Sequence, residues 1–268
     1  MIIQELWSRF FWKIHALFPP STPNWFSPSK KDIFLVSYPR SGNTWLRSLL
    51  AEILYGKSGN SFEELQYFIP DIHIKIEAEK VMFSEFHVVK SHNPLRYRHD
   101  SYSYKKVIYL IRDPRDVVLS YHRYFQKYKY PYDLDQFIID CFSGRIWPCS
   151  WHEHVQSWLG LGSGINNSDL FLIRFEDLVA DTNVQLYQLL NHFEIESSED
   201  AIIRAINKTT PEKMRIKELN SFIDQELEGD FRFIGKAISN QWKIQLTKEQ
   251  VDYFHLKIGS LMSTYGYD

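Results

Sequence analysis

Residues 33 to 45 read IFLVSYPRSGNTW. A short, almost unbroken apolar run enters a turn holding Pro39 and Gly42, and an apolar periodicity follows at Leu46, Leu49, Leu50, Ile53 and Leu54. A continuous apolar run of this length suits a strand buried on both faces. The i, i+3, i+4 spacing after it predicts a helix. A strand, a tight turn and a helix N-terminus together make an anion site. The first helical N–H groups have no internal acceptor, and the helix dipole favours negative charge there. Gly42 lets the backbone approach a ligand closely. Ser41, Asn43 and Thr44 supply side-chain donors and caps, and Arg40 supplies charge. The plainer alternative is a strand–turn–helix with ordinary caps.

The loop departs from the nucleotide-hydrolysing P-loop, G-x-x-x-x-G-K-[ST]. It has no early glycine, and Asn43 stands where the lysine would be. The Lys–Mg²⁺ apparatus for splitting a β,γ-phosphate is therefore incomplete. Such a loop can hold a terminal phosphate without hydrolysing it.

Three more apolar runs read as strands: FHVVKS (86–91), KVIYLIR (106–112) and DLFLIRFE (169–176). Helical patterns begin at Val117, Val118 and Tyr121, and again at Leu186, Leu189, Leu190 and Phe193. Alternation of this kind predicts one α/β domain, with a mainly parallel central sheet, helices on both faces and a P-loop NTPase-like architecture. Ligands of such sheets bind at the carboxyl ends of the strands. Three chemically rich stretches stand there: PRSGNTW, KSH and RDPRD. The C-terminal third reads as helical, except for a loop at EGDFRFIGKAISNQW, 228–242.

Composition narrows the partners. A net charge of −2 over 268 residues argues against a whole-protein field for nucleic acid. Two cysteines, Cys141 and Cys149, make neither a disulfide framework nor a zinc pattern, which points to a reducing, cytoplasmic setting. Residues 1–20 recur at helical spacing but carry Glu5, Arg9, Lys13 and His15, so they read as an amphipathic helix and not a membrane span. Four prolines in 18–30 make the following segment an extended connector. The domain is thus placed at 31–268, with 1–30 as helix and connector. That helix either packs on its own domain or touches a membrane surface peripherally.

S-Y-P-R-S-G-N-T-W-L closely resembles the Y-P-K-S-G-T-T-W-L signature of cytosolic-type sulfotransferases, which use 3′-phosphoadenosine 5′-phosphosulfate (PAPS). The resemblance implies that residues 40–45 grip the 5′-phosphosulfate end, with Trp45 stacked on the adenine. It puts Arg40, in place of a lysine, on the bridging oxygen or transferring group. Arginine keeps the charge and adds a fork for oxyanions. With a pKa of about 12.5 or more it stabilises charge but is a poor proton donor. VIYLIRDPRDVVLSYHRYF resembles the second signature of the family, which implies that Arg112 and Ser120 hold the 3′-phosphate; read alone, the same stretch is a solvated ion-pair cluster. RFIGKAISNQWK resembles the third more loosely, implying 3′-phosphate contacts from Arg232, Gly235 and Lys236 with Trp242 and Lys243 as anchors. SWHEHVQSW (150–158) and LFLIRFEDL (170–178) are similar to two further family segments. The first of these is mostly structural in the family. In the second, Phe175 replaces a tyrosine near the adenine.

HVVKSHNPL (87–95) resembles the K-T-H-x-P segment whose histidine is the catalytic base, which implies that role for His92 and places Lys90 beside the transferring group. Histidine suits proton abstraction near neutral pH, and a spacing of two puts both side chains on one face of a strand. The other nine histidines stay without a role. The expected reaction is in-line sulfuryl transfer from PAPS to a hydroxyl or amine of a small-molecule acceptor, releasing 3′,5′-ADP (PAP), with no metal required. Acceptor pockets in that family are built from variable loops, which implies residues 58–86, 93–104, 126–150 and 219–240 on this chain. Two alternatives remain open: a P-loop-type nucleotide kinase, and a non-catalytic nucleotide-binding relative. The family's dimerisation motif is degraded in KIQLTKEQVD, 243–252, which leaves the oligomeric state open.

Overall fold

A computed structural model describes residues 32–74, 81–82, 87–95, 104–127, 133–221 and 239–268. Four strands form one parallel sheet: β1 (Asp32–Ser37), β2 (His87–Ser91), β3 (Lys106–Ile111) and β4 (Leu170–Arg174), in the order β2-β1-β3-β4. In register, Leu35 lies opposite Lys90 and Ile108, and Val36 opposite Ser91 and Tyr109. This is the expected α/β architecture. The amphipathic helix and connector placed at 1–30 lie outside the described residues, as do Arg232, Gly235 and Lys236.

Strand periodicity divides the core in two. Ile33 and Leu35 face one layer with Leu46, Leu49, Leu50, Leu186 and Leu189. Phe34 and Val36 face the other, with Val117, Tyr121, Phe137, Val155 and Phe254. Successive strand side chains point to opposite faces, so burial on both sides needs the continuous apolar run seen in the sequence. One layer is built on α1 (Asn43–Tyr55), which leaves the β1 turn directly. The other is built on α2 (Pro114–Lys127), which opens with a proline at its first position, and on α3 (Trp151–Leu159), opened by a Ser150–Glu153 capping box.

The fourth strand ends earlier than its apolar run. Phe175 starts a short helix, Phe175–Ala180, whose first turn carries Glu176 and Asp177. Two carboxylates suit the positive end of a helix better than a continuing strand.

Leu49→Ala should cost about 2–5 kcal/mol of unfolding free energy in a denaturant titration, because Leu49 is wholly buried against the sheet. Leu256→Ala, on an exposed face, should stay within about 0.5 kcal/mol of the parent.

Candidate active site

The turn after β1 is built on two left-handed residues, Arg40 at φ 69° and Gly42 at φ 97°. A non-glycine residue there is uncommon, and it tilts successive amides toward one side. Gly42 caps α1 without a side-chain bond, so the helix entrance stays open. A Cβ on Gly42 would come within 2.5 Å of the Phe175 ring, which fixes the loop from beneath. Ser41 Oγ and Asn43 Oδ1 are buried without a hydrogen-bond partner among the described residues. An oxyanion in the turn would give Ser41 an acceptor, the usual remedy for an orphaned buried donor.

Three expected anion ligands converge on this turn. Arg40 Nε donates to Ser120 Oγ at 3.2 Å, across from α2. Arg112, one residue beyond β3, donates from Nη1 to the Arg40 carbonyl at 3.0 Å. The Arg40 guanidinium also lies 5.2 Å from the Tyr124 ring centre, and that of Arg112 lies 4.4 Å from Phe175. Burial lowers Arg40 to about 10, with Arg112 pushing the same way, and burial likewise lowers Arg112. Both stay charged at neutral pH. A bound phosphate between them would relieve their mutual repulsion and supply a bidentate partner.

RDPRD is not a solvated ion-pair cluster: Arg112, Asp113, Arg115 and Asp116 are all buried. Arg115 pairs with Asp113 at 2.8 Å and stacks 3.6 Å from the Trp242 ring centre. Asp116 accepts the N–H groups of Asn240 at 2.7 Å and Trp242 at 2.9 Å. The stretch thus turns Arg112 toward the turn after β1 and, through Asp116, ties down Asn240 and Trp242. Trp242 and Lys243 open a short helix, Trp242–Gln245.

Trp45 is partly buried, edge-on to Phe175, and its Nε1 donates to the Thr209 carbonyl at 3.1 Å. That bond brings Thr209, two residues before Pro211, next to the tryptophan. Phe175 is 4% exposed, and its ring is occupied by Gly42, Trp45 and Arg112, so it serves as a packing floor.

His92 stands just past the end of β2. Its Nδ1 lies 2.6 Å from the Ser37 carbonyl. A carbonyl only accepts, so Nδ1 carries the proton and Nε2 keeps its lone pair. Ser37 is also the residue at which the phosphate turn begins, and its Oγ accepts from Asn43 Nδ2 at 3.0 Å. Burial pushes the His92 imidazole well below its ordinary 6.5, with Lys90 nearby adding to the effect. Lys90 is committed to Asp71, Nζ to Oδ2 at 2.6 Å, both side chains buried. Burial brings Lys90 down to about 8, against the opposing pull of Asp71. Burial alone would raise Asp71, but Lys90, His73 and Arg47 outweigh it and hold the carboxylate well below its usual range.

Of the nine histidines to which the sequence gives no role, two support His92. Tyr109 OH donates to His154 Nδ1 at 2.7 Å, and His154 Nε2 donates to the His92 carbonyl at 3.2 Å. Burial lowers His154 to about 3, so it is neutral and keeps that tautomer. On the other side, His73 Nε2 accepts the His92 N–H at 2.9 Å. Trp147 stands edge-on to both His73 and His92. The signal for His73 was present: D-I-H at 71–73 repeats the spacing of K-S-H at 90–92. No helix among the described residues is long and apolar enough to cross a membrane, and no cluster of metal-ligating side chains occurs among them.

Comparison with known proteins gives the context. Residues 30–266 match the family model described as the sulfotransferase domain. The chain is 23% identical over 243 residues to the amine sulfotransferase of Oryctolagus cuniculus, covering 83% of this chain and 78% of that one. It is 26% identical over 241 residues to the 3-beta-hydroxysteroid sulfotransferase of Cavia porcellus, covering 85% and 83%. Among solved structures it resembles retinol dehydratase in complex with androsterone and PAP, with a TM-score of 0.72, 19% identity and coverage of 94% and 85%. A mouse sulfotransferase complexed with PAP gives a TM-score of 0.67 at 20% identity, covering 88% and 86%.

Gly42→Ala combines a left-handed backbone with a clash against Phe175. It should cost about 1–3 kcal/mol of stability by chemical denaturation. A variant as stable as the parent would show that the turn relaxes.

Proposed function

This chain belongs to the sulfotransferase-domain family, and on that basis we propose that it transfers the sulfuryl group of PAPS to a hydroxyl or amine of a small-molecule acceptor. The observation that carries the reading is the Ser37 contact: the residue that opens the phosphate turn also fixes the tautomer of His92. An anion site and a general base are thereby built on neighbouring strand ends, as an in-line transfer requires.

PAPS is the donor and supplies the sulfuryl group and the PAP leaving group. The turn at 40–44 takes the 5′-phosphosulfate end, with Ser41 Oγ and the first amides of α1 as donors. Arg112 and Ser120 take the 3′-phosphate, and the adenine lies at Trp45 and residues 209–211. His92 Nε2 removes the acceptor proton as the acceptor's lone pair forms the new bond to sulfur. The bond from sulfur to the bridging oxygen breaks, and the electron pair stays with the phosphate. Arg40, charged at neutral pH, stabilises that oxygen electrostatically and donates no proton to it. Lys90 lies two residues before the base, and its ammonium, shared with Asp71, stands beside the transferring group. The relatives named for amines and for 3-beta-hydroxysteroids represent the two acceptor chemistries, N–H and O–H.

A phosphoryl-transfer reading is weaker. The lysine of that apparatus is replaced by Asn43, whose amide is bonded to Ser37 Oγ. PAP should raise the melting temperature, whereas ATP with Mg²⁺ should leave it nearly unchanged; the reverse result would favour the kinase. Incubation with PAPS and a panel of alcohols, phenols and amines, read by mass spectrometry, would identify the acceptor.

His92→Ala should abolish transfer and leave PAP affinity within about twofold by calorimetry. Near-normal turnover would remove His92 as the base. Arg112→Ala should instead weaken PAP by about 10-fold or more, the scale of a lost charge-assisted contact of about 1.5–3 kcal/mol.

The pH profile of kcat/KM follows from the two shifted groups. The base must be neutral, and its proton affinity is depressed, so the acid limb should lie below the ordinary 6.5. Loss of the Lys90 proton should give an alkaline limb near 8, earlier than an ordinary lysine. Asp71→Asn removes a group that raises Lys90, so that limb should move to lower pH. An unmoved limb would separate it from Lys90.

A further inference from the structure

Pro70–Ile72 runs beside β2 as an added parallel ribbon. The Lys90 N–H donates to the Pro70 carbonyl at 2.8 Å, and the Ile72 N–H donates to the Lys90 carbonyl at 3.1 Å. Asp71 is therefore opposite Lys90. Side chains two apart share a face, so His73 arrives beside His92 as Asp71 arrives beside Lys90. The first pair is an ion pair. In the second, the rings lie within 16° of parallel with centroids 6.1 Å apart.

The polar atoms of His92 are held from three directions. Its N–H goes to His73 Nε2, its carbonyl accepts from His154 Nε2, and its Nδ1–H goes to the Ser37 carbonyl. Nε2 is the one ring nitrogen these three contacts leave for a substrate proton. Ser37 and His154 belong to the strand and helix framework. His73 comes from a segment outside it, and its nitrogen accepts an N–H lying beyond the last paired residue of β2.

We propose that His73 is a positioning residue for the transfer reaction, holding the backbone of His92 so that its ring keeps Nδ1–H on Ser37 and offers Nε2 to the acceptor. The proposal rests on the reading of His92 as the base. The segment carrying His73 is itself anchored. Asp71 Oδ1 accepts the His73 N–H at 2.9 Å, and Asp71 N–H donates to Gln66 Oε1 at 2.8 Å. Arg47 of α1 donates to the same Gln66 oxygen and to the Ile69 carbonyl. A side chain placed this firmly can hold a geometry that catalysis needs to within a few tenths of an ångström.

The test uses full-length protein labelled with ¹⁵N at histidine, with and without PAP. Long-range ¹H–¹⁵N spectra report which ring nitrogen of His92 is protonated. The parent should show the single Nδ1–H form. In His73→Ala the His92 signals should move to a tautomer average, while PAP affinity by calorimetry stays within twofold. His73→Gln, whose Oε1 can accept the same N–H, should restore the single form. A single tautomer retained in His73→Ala would overturn the proposal. So would His73→Gln failing as His73→Ala does while still binding PAP, because ring packing and not the accepted hydrogen bond would then be the cause. Neither result depends on turnover, so it is distinct from loss of the base reading, which the His92→Ala assay decides.

Discussion

Parallel register is the constraint on which the rest of this molecule depends. With Leu35 level with Lys90 and Val36 level with Ser91, β1 and β2 finish together. The turn leaving one strand and the histidine leaving the other then start from the same height. A slip of one residue would reverse both faces of the strand, burying Ser37 differently and breaking its bond to His92. The two apolar layers hold that register, since each face of β1 is specified separately by its own helices.

The donor side is an electrostatic construction with little room to relax. Arg40, half-buried, and Arg112, buried, lie close together, one bonded to the other's backbone. Bringing like charges into a poorly solvated place is costly unless something else is gained. In the proposed reading the gain is a preorganised receptor for anions, framed by Ser120 and by the open end of a helix. Asp116 offsets part of the Arg112 charge, and Asp113 less of it. Asp113 is taken up by Arg115, and Asp116 spends both oxygens on the backbone at 240 and 242 while staying 3.8 Å from Arg112.

What could be read in the sequence was whatever had a period or a dense motif. Doubly buried strands must be apolar throughout, so IFLVS, HVVKS and KVIYLI were plain to see. The glycine turn and the arginine after β3 declared their chemistry by residue type. Asp71 and His73 belong to no periodic element; D-I-H repeats the spacing of K-S-H, but its meaning depends on lying beside it, a pairing between residues 19 apart. His154 was visible within a helix segment, but nothing in its spacing showed that it would reach the carbonyl of His92. Phe175 was expected near the adenine from its segment alone; that it also packs beneath the turn depends on the absence of a side chain on Gly42, which its spacing did not show.

Arg47 gives the arrangement a practical meaning. It leaves the helix that begins in the phosphate turn and grips residues 66 and 69, the lead-in to Asp71 and His73. Residues 58–86 are one of the stretches expected to form the acceptor mouth, the part of such a catalyst that engineers would exchange to change its substrate. Part of that stretch is scaffold. A transplant that keeps Gln66 to His73 and its anchor at Arg47 replaces only the lining of the mouth. A transplant that cuts through them also removes the mounting of the base, and an inactive chimera would then say nothing about the substrate it was built to accept.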